Sequence, residues 1–351
     1  MFKINSKLNS IKMKTIQFLI PICCITLCFS CKEQEKKPAA TSEKVVEQVI
    51  ATPKSEGLSY AEISVKEGGK WVDRKYEGGG AFKNVNQLDV PKEHTDHSYY
   101  IRYEGPGWES DKVGYRLYLD WRNAIDIFGK KTHQKVLPKV GQDNFDSYHE
   151  MSDWGMDILK AGKSLGIGSI GRFHQGKVLH FENVDATSAS VENSDLQSTV
   201  HVNYRGWKTA NDKIDLTSEL TIKPTNRYTK HTIQASKAIN GITTGIVKFE
   251  DIELIKKTSD NGKWAYIASY GEQTLVPDNL GMALFYNTAS VDQVVDGPDD
   301  HLVVFNPTTE PISFYFLGAW EKEKDGIKNQ KEFLSYIDGL LKELNSNNKL
   351  P

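Results

Sequence analysis

Cysteine is almost missing from this chain. All four cysteines, Cys23, Cys24, Cys28 and Cys31, fall at or before position 31 of 351 residues. Downstream there is no thiol for a disulfide, a thiolate metal site or a cysteine nucleophile. An excess of one charge is missing too. Lys and Arg number 44 against 46 Asp and Glu, and no basic stripe suits nucleic acid. Long apolar runs are also lacking. The stretch over residues 18–29 is too short for a membrane-spanning helix, which needs about 20 residues. No serine nucleophile elbow, His-Glu-x-x-His pair or phosphate loop occurs. Gly162-Lys163-Ser164 lacks the leading glycine and the spacing of a P-loop.

What is present begins with an export signal. Lys3, Lys7, Lys12 and Lys14 precede the short apolar core, Ser30-Cys31 closes it, and Lys32-Glu33 follows at once. A basic segment, a short apolar core and a small residue at the cut make a signal peptide over residues 1–30. Cysteine directly after the cut predicts lipid attachment at Cys31, so the membrane is met only through that anchor. Residues 31–56 are charged and turn-prone, too polar to fold alone, and read as a flexible tether. Residues 57–351 are then a single domain.

Short alternating segments dominate that domain. Residues 99–104, 115–122, 200–205, 214–222, 228–236, 245–256, 264–270, 282–286 and 301–320 all alternate, the last broken at Asn306-Pro307. Turn residues punctuate them, which predicts an all-β, large antiparallel β-sandwich. Phe333, Ile337, Leu340, Leu341 and Leu344 instead fall on a helical stripe, predicting one C-terminal helix over about 329–345.

Candidate chemistry concentrates between Arg102 and Arg172. If residues 99–104 and 115–122 pair as a hairpin, Tyr100, Arg102 and Glu104 share one polar face with Arg116, Tyr118, Asp120 and Arg122. Arginine's planar fork grips a carboxylate or sulfate, so Arg102, Arg116 and Arg122 are candidate substrate ligands; a solvated face of cross-strand ion pairs is the plainer alternative. Tyr148-His149 stands beside Trp154, and Gly162, Gly166, Gly168 and Gly171 follow. The glycines let backbone approach something closely. Histidine and tyrosine together can take one proton and give another, so His149 and Tyr148 are the candidate catalytic pair and Trp154 a sugar-stacking residue. His201, His231 and Tyr204 are next in line. His94-Thr95-Asp96-His97 is half a metal site at most; no other histidine is fixed to it, and no metal is assigned.

The run from Arg102 through Gly105-Pro106-Gly107-Trp108 to Lys130, continued by Tyr148-His149, Trp154-Gly155-Met156-Asp157 and Lys163 to Gly168, resembles the signature of a bacterial lipoprotein family long described only as a domain of unknown function. The cluster after Cys31 likewise resembles an export tag for the cell surface. The resemblance implies a galactose-mutarotase-like sandwich on the outer membrane of polysaccharide-degrading bacteria. It also implies dehydration of ulvan oligosaccharides: water is lost across C4–C5 of a non-reducing-end glucuronate, leaving a 4,5-unsaturated uronate. The implied partners are anionic, sulfated, uronate-containing oligosaccharides, with no organic cofactor. It supplies no site residues; those above come from the sequence itself. A non-catalytic glycan-binding lipoprotein and a sugar epimerase or mutarotase are the alternatives.

Overall fold

The computed structural model describes residues 58–143 and 147–351. Cys31, the signal segment and the tether lie outside them. A nine-stranded sheet is the largest element. Its spatial order is Ile255–Thr258, Trp264–Glu272, Asn279–Asn287, Ile312–Trp320, Tyr228–Ala235, Asp212–Ile222, Ser198–Thr209, Ala186–Asn193 and Gln87–Asp89. All its neighbours are antiparallel. Alternation gives it two apolar faces: Leu280, Met282, Leu284 and Phe316 on one, Tyr266, Ala283, Phe285 and Leu317 on the other.

The first face meets a six-stranded sheet, ordered Phe82–Val85, Ser59–Lys66, Gly107–Ser110, Val113–Leu117, Ile125–Lys130 and Gly155–Asp157. Ala61, Ile63, Trp108, Tyr115 and Ile127 enter the shared core. Trp108 Nε1–H donates to Thr229 Oγ1 at 2.9 Å, and the Tyr115 hydroxyl donates to the Arg227 carbonyl at 2.5 Å, so the buried rings are also satisfied as donors. A five-stranded sheet, Lys177–Leu179, Ile167–His174, Ile242–Val247, Asp300–Phe305 and Val291–Asp296, adds Ile170, Ile246 and Phe305 to that core. The domain is a mostly antiparallel β-sandwich.

The second face is sealed by the expected helix, Gln330–Asn347, which buries Phe333, Ile337, Leu341 and Leu344. Asn329 caps it: its side chain accepts the Glu332 N–H at 3.0 Å, and Glu332 Oε2 accepts the Lys328 N–H at 2.9 Å. Among the described residues no helix is long and apolar enough to cross a membrane.

Three expectations are corrected. Residues 99–104 are not a strand: Ile101 makes one isolated bridge to Val65, and Arg102–Glu104 is a 3-10 turn. The hairpin there joins Gly107–Ser110 to Val113–Leu117. The alternation at 99–104 belongs to a turn whose polar side chains are drawn inward to buried partners. Residues 245–256 are two strands in different sheets, Ile242–Val247 and Ile255–Thr258. The glycine run packs from Gly166 onward, with Gly168 and Gly171 inside the strand Ile167–His174, while Gly162 lies in an exposed turn. Gly166 and Gly168, both at φ +70°, let the Ile125 carbonyl and the Phe316 ring into space that a Cβ would fill.

Candidate functional site

The outer face of the six-stranded sheet carries charge where apolar residues would be expected. Register builds it: Glu62 pairs with Gly107, Gly107 with Arg116, and Arg116 with Asp126, while Phe128 of the next row pairs with Asp157. Glu62, Arg116, Asp126 and Asp157 are all buried, so this is not a solvated face. Tyr103, Val136, Leu137, Val140 and Tyr148 close over it around Phe128. Gly107 makes the cover possible, because a Cβ there would stand 2.7 Å from the Tyr103 hydroxyl.

Arg116 is the hub. Its guanidinium donates to Asp157 at 2.6 Å, Asp126 at 2.9 Å, the Tyr118 hydroxyl at 2.6 Å and the Tyr148 hydroxyl at 3.0 Å. Asp157 in turn lies 3.2 Å from His149 Nε2. The Tyr148 and His149 rings sit 4.5 Å apart. His149 is the member of this group that solvent reaches, its side chain 34% exposed. Burial, joined by neighbouring Asp157, pushes Asp126 up to about 6, with Arg116 pulling the other way. Burial likewise raises Tyr148 above the usual phenol range despite the Arg116 charge.

A second arm starts at Tyr118, whose ring faces the Arg122 guanidinium at 3.9 Å. Arg122 pairs with Asp120, with Glu104 at 3.0 Å and with Asp96 at 3.1 Å. His97 Nδ1 is 2.6 Å from Asp96, and the His97 N–H donates to Glu104 at 2.8 Å. Burial raises Glu104, opposed by Arg122. For Asp96 burial also acts upward, but Glu104, Arg122 and His97 outweigh it and hold the carboxyl below its usual range. The backbone is strained here, with His97, Tyr99, Tyr103 and Glu104 at φ of 56°, 63°, 43° and 70°. Such a concentration of left-handed non-glycine residues marks functional segments more than scaffold. Glu104 acts electrostatically on both Tyr118 and Tyr148, so the two arms form one charged cluster.

The structure therefore joins Tyr148, His149 and Arg116 directly. Arg102 lies on one flank, buried against Glu62 and donating to the Pro138 carbonyl at 3.2 Å. It lines a cavity of about 380 Å³ together with Tyr99, Tyr103, Gln142 and Tyr148. Arg122 lies on the other flank. Trp154 is half-buried, edge-on to Phe128 at 6.1 Å. Asp96, His97 and Glu104 could converge on a metal ion, whereas His94 turns away to Ser98 at 2.7 Å. The Arg122 guanidinium already supplies a cation to both of those carboxylates, so the donor set fits a metal poorly. The reserve candidates are dispersed. His231 is fully buried between Ser218 and the Gly168 carbonyl, Tyr204 donates to Asn123, and His201 sits near Glu192 and Glu219. A larger cavity of about 560 Å³, lined by Lys230, Trp264 and Tyr315, borders the helix side and holds no comparable acid–base cluster.

Reading the sequence alone missed Asp157 and Asp126 as partners, and placed Glu104 beside Arg122 only through a hairpin that does not form. Asp157 had a signal, since it closes the Trp154-Gly155-Met156-Asp157 motif; Asp126 and Glu104 depend on register and on a turn that only the fold supplies.

Residues 31–349 match the family model described as "Domain of unknown function (DUF4861)", and the chain belongs to that family. No curated protein matches. Among solved structures, a TPR-domain containing protein from Parabacteroides distasonis is similar over 74% of this chain at 8% identity and a TM-score of 0.34. This chain spans 54% of that protein's length.

Proposed function

We propose that this protein is an oligosaccharide dehydratase, a hydro-lyase acting on glucuronate at the non-reducing end of ulvan oligosaccharides. The observation that carries the reading is the solvent-reached His149, oriented by Asp157 and set beside Tyr148 on one buried arginine. A carboxylate that fixes an imidazole while a neighbouring phenol keeps its proton is the equipment for paired proton transfer. His149 takes the C5 proton. The C–H electrons form the C4–C5 double bond as the C4–O bond breaks. Tyr148, kept protonated by burial, gives its proton to the departing hydroxide, which leaves as water. Arg102 and Lys66 line the Tyr148 cavity and face the uronate carboxylate, where charge grows as C5 loses its proton. Arg116 is a positioning residue, because its Nη1 and Nη2 groups are held by two phenols and two acids. Cys31 holds the domain at the outer membrane by lipid, which the signal pattern supports.

Glycan binding without turnover is the second reading, favoured by the exposed aromatic Tyr99 on the same cavity. One experiment separates them. The full chain is incubated with ulvan oligosaccharides ending in saturated glucuronate, and the product's ultraviolet absorbance and the loss of one water by mass spectrometry are followed. Turnover is expected, with His149→Ala slowed about 10²–10⁴-fold at unchanged melting temperature. Oligosaccharide that binds yet keeps its mass sinks the dehydratase reading in favour of the binder.

A further inference from the structure

Among the described residues only two aromatics, Tyr99 and Trp121, count as exposed large hydrophobics, at 40% and 38%. Each lines its own cavity of about 380 Å³, and each cavity touches the charged cluster, one through Asp120 and the other through Tyr148. Tyr99 belongs to the cavity with Tyr148. Trp121 belongs to a second one, with Arg74, Lys92, His94, Asp120 and Asp185 among its walls. The strained segment 95–99 is the partition between them, with Thr95 lining one cavity and Tyr99 the other. Four residue steps reach at most about 15 Å, so Thr95 on one cavity wall and Tyr99 on the other lie within the length of a short oligosaccharide.

The charge in the second cavity is not balanced internally. Asp120 is paired with Arg122 and Asp185 with Lys213 at 2.5 Å. His94 is neutral, since burial lowers it to about 4. Arg74 donates only to backbone carbonyls, Glu93 at 3.3 Å and His94 at 3.0 Å, and makes no ion pair among the described residues, whereas Lys92 acts electrostatically on Asp185. Glu182 is the lining acid that remains unpaired. Trp121 stays presented rather than folded away: its carbonyl accepts the Phe181 N–H at 3.0 Å, and its ring meets the His180 ring edge-on at 5.7 Å. A pyranose lays its C–H face on such a ring, and an anionic substituent meets the unpaired guanidinium.

We propose that the Trp121 cavity is a second sugar subsite, in which Trp121 stacks on an internal sugar of the substrate and Arg74 binds that sugar's anionic group, a sulfate or a carboxylate. This rests on the oligosaccharide reading above and adds to it a length and charge requirement. The test uses the full chain and two probes, the ulvan disaccharide and the ulvan tetrasaccharide, measured for turnover and for binding by calorimetry. Trp121→Ala is expected to raise KM and Kd for the tetrasaccharide about tenfold or more while leaving kcat and all disaccharide values unchanged. Trp121→Phe, which keeps a ring, should recover most of the loss. Arg74→Met should weaken the tetrasaccharide likewise. If the weakening vanishes on a desulfated tetrasaccharide the anion is the sulfate, and if it persists the anion is a carboxylate. Trp121→Ala values that match wild type, or that fall equally for both lengths, overturn the subsite. A wild-type protein that binds the tetrasaccharide through Trp121 without eliminating water refutes the dehydratase and keeps the subsite. One that binds neither probe refutes both.

Discussion

The two sheets are closed on their outer sides in opposite ways. Over the nine-stranded sheet a helix lays Phe333, Ile337, Leu341 and Leu344 on Tyr266, Ala283, Phe285 and Leu317. Over the six-stranded sheet loops bury Glu62, Glu109, Arg116, Asp126, Lys130 and Asp157. The first arrangement gains from removing apolar area from water. The second gains little, because desolvating ions roughly cancels their attraction. A fold that could have sealed both faces with leucine has kept a costly ionic layer on one. The difference marks a layer of groups that stability alone does not require, and His149 and the Asp96–His97 pair are the points where it reaches solvent.

The comparison breaks most sharply at Arg116. Arg116→Ala leaves Asp126 and Asp157 buried without their cation and should cost about 3–5 kcal/mol in denaturant unfolding. The loss has a pH signature. Asp126 already stands at about 6 in the folded protein, above its ordinary range, so the folded state holds its proton longer than the unfolded chain and stability from this group falls as pH rises through that window. Removing Arg116 raises it further. The variant should therefore be less destabilised at pH 5 than at pH 8, and equal destabilisation at both would show that the acids are not the cause. Activity should be lost with it, since Tyr148 and Asp157 lose their common partner. Leu341→Ala, on the apolar side, should cost about 2–5 kcal/mol with no such pH dependence and with full activity per folded molecule at low temperature. A Leu341→Ala protein that folds but loses the proposed activity would erase the distinction between the two faces.

The sandwich and its terminal helix were legible because both rest on periodicity. Phe333 to Leu344 repeats as a helix must, and strands such as Asp212–Ile222 alternate cleanly between core and solvent. Tyr148, His149 and Arg116 were legible as chemistry-bearing types in a dense segment. Their partners were not. Asp157 reaches His149 through pairing of Gly155–Asp157 on Ile125–Lys130, a register that no local pattern encodes. Residues 99–104 misled for a physical reason. Inward-turned Arg102 and Glu104 alternate with Ile101 and Tyr103 just as a half-exposed strand would, but both faces are buried. Period-two spacing reports sidedness, and it cannot say that the polar side is also covered. The glycine run misled in the complementary way, because close approach to Ile125 and Phe316 inside the protein needs the same residue as close approach to a ligand.

The smallest expected effect tests whether the helix side serves stability alone. Asn329 accepts the Glu332 N–H at 3.0 Å, and Glu332 answers by accepting the Lys328 N–H at 2.9 Å, so one donor of the first turn and the one just before the cap are satisfied by this reciprocal pair. Asn329→Ala removes one acceptor from an exposed helix start and should lower stability by about 1 kcal/mol, seen as a shift of the denaturation midpoint at unchanged slope. Neither KM nor kcat should move, because nothing in this turn touches the charged layer. Asn329→Asp should keep the cap and, with its charge at the positive end of the helix dipole, match or slightly exceed wild type. A kinetic change in either variant, at a temperature where both are folded, would mean that the helix communicates with the ionic face through the sheet between them, and the two sides would have to be treated as one unit.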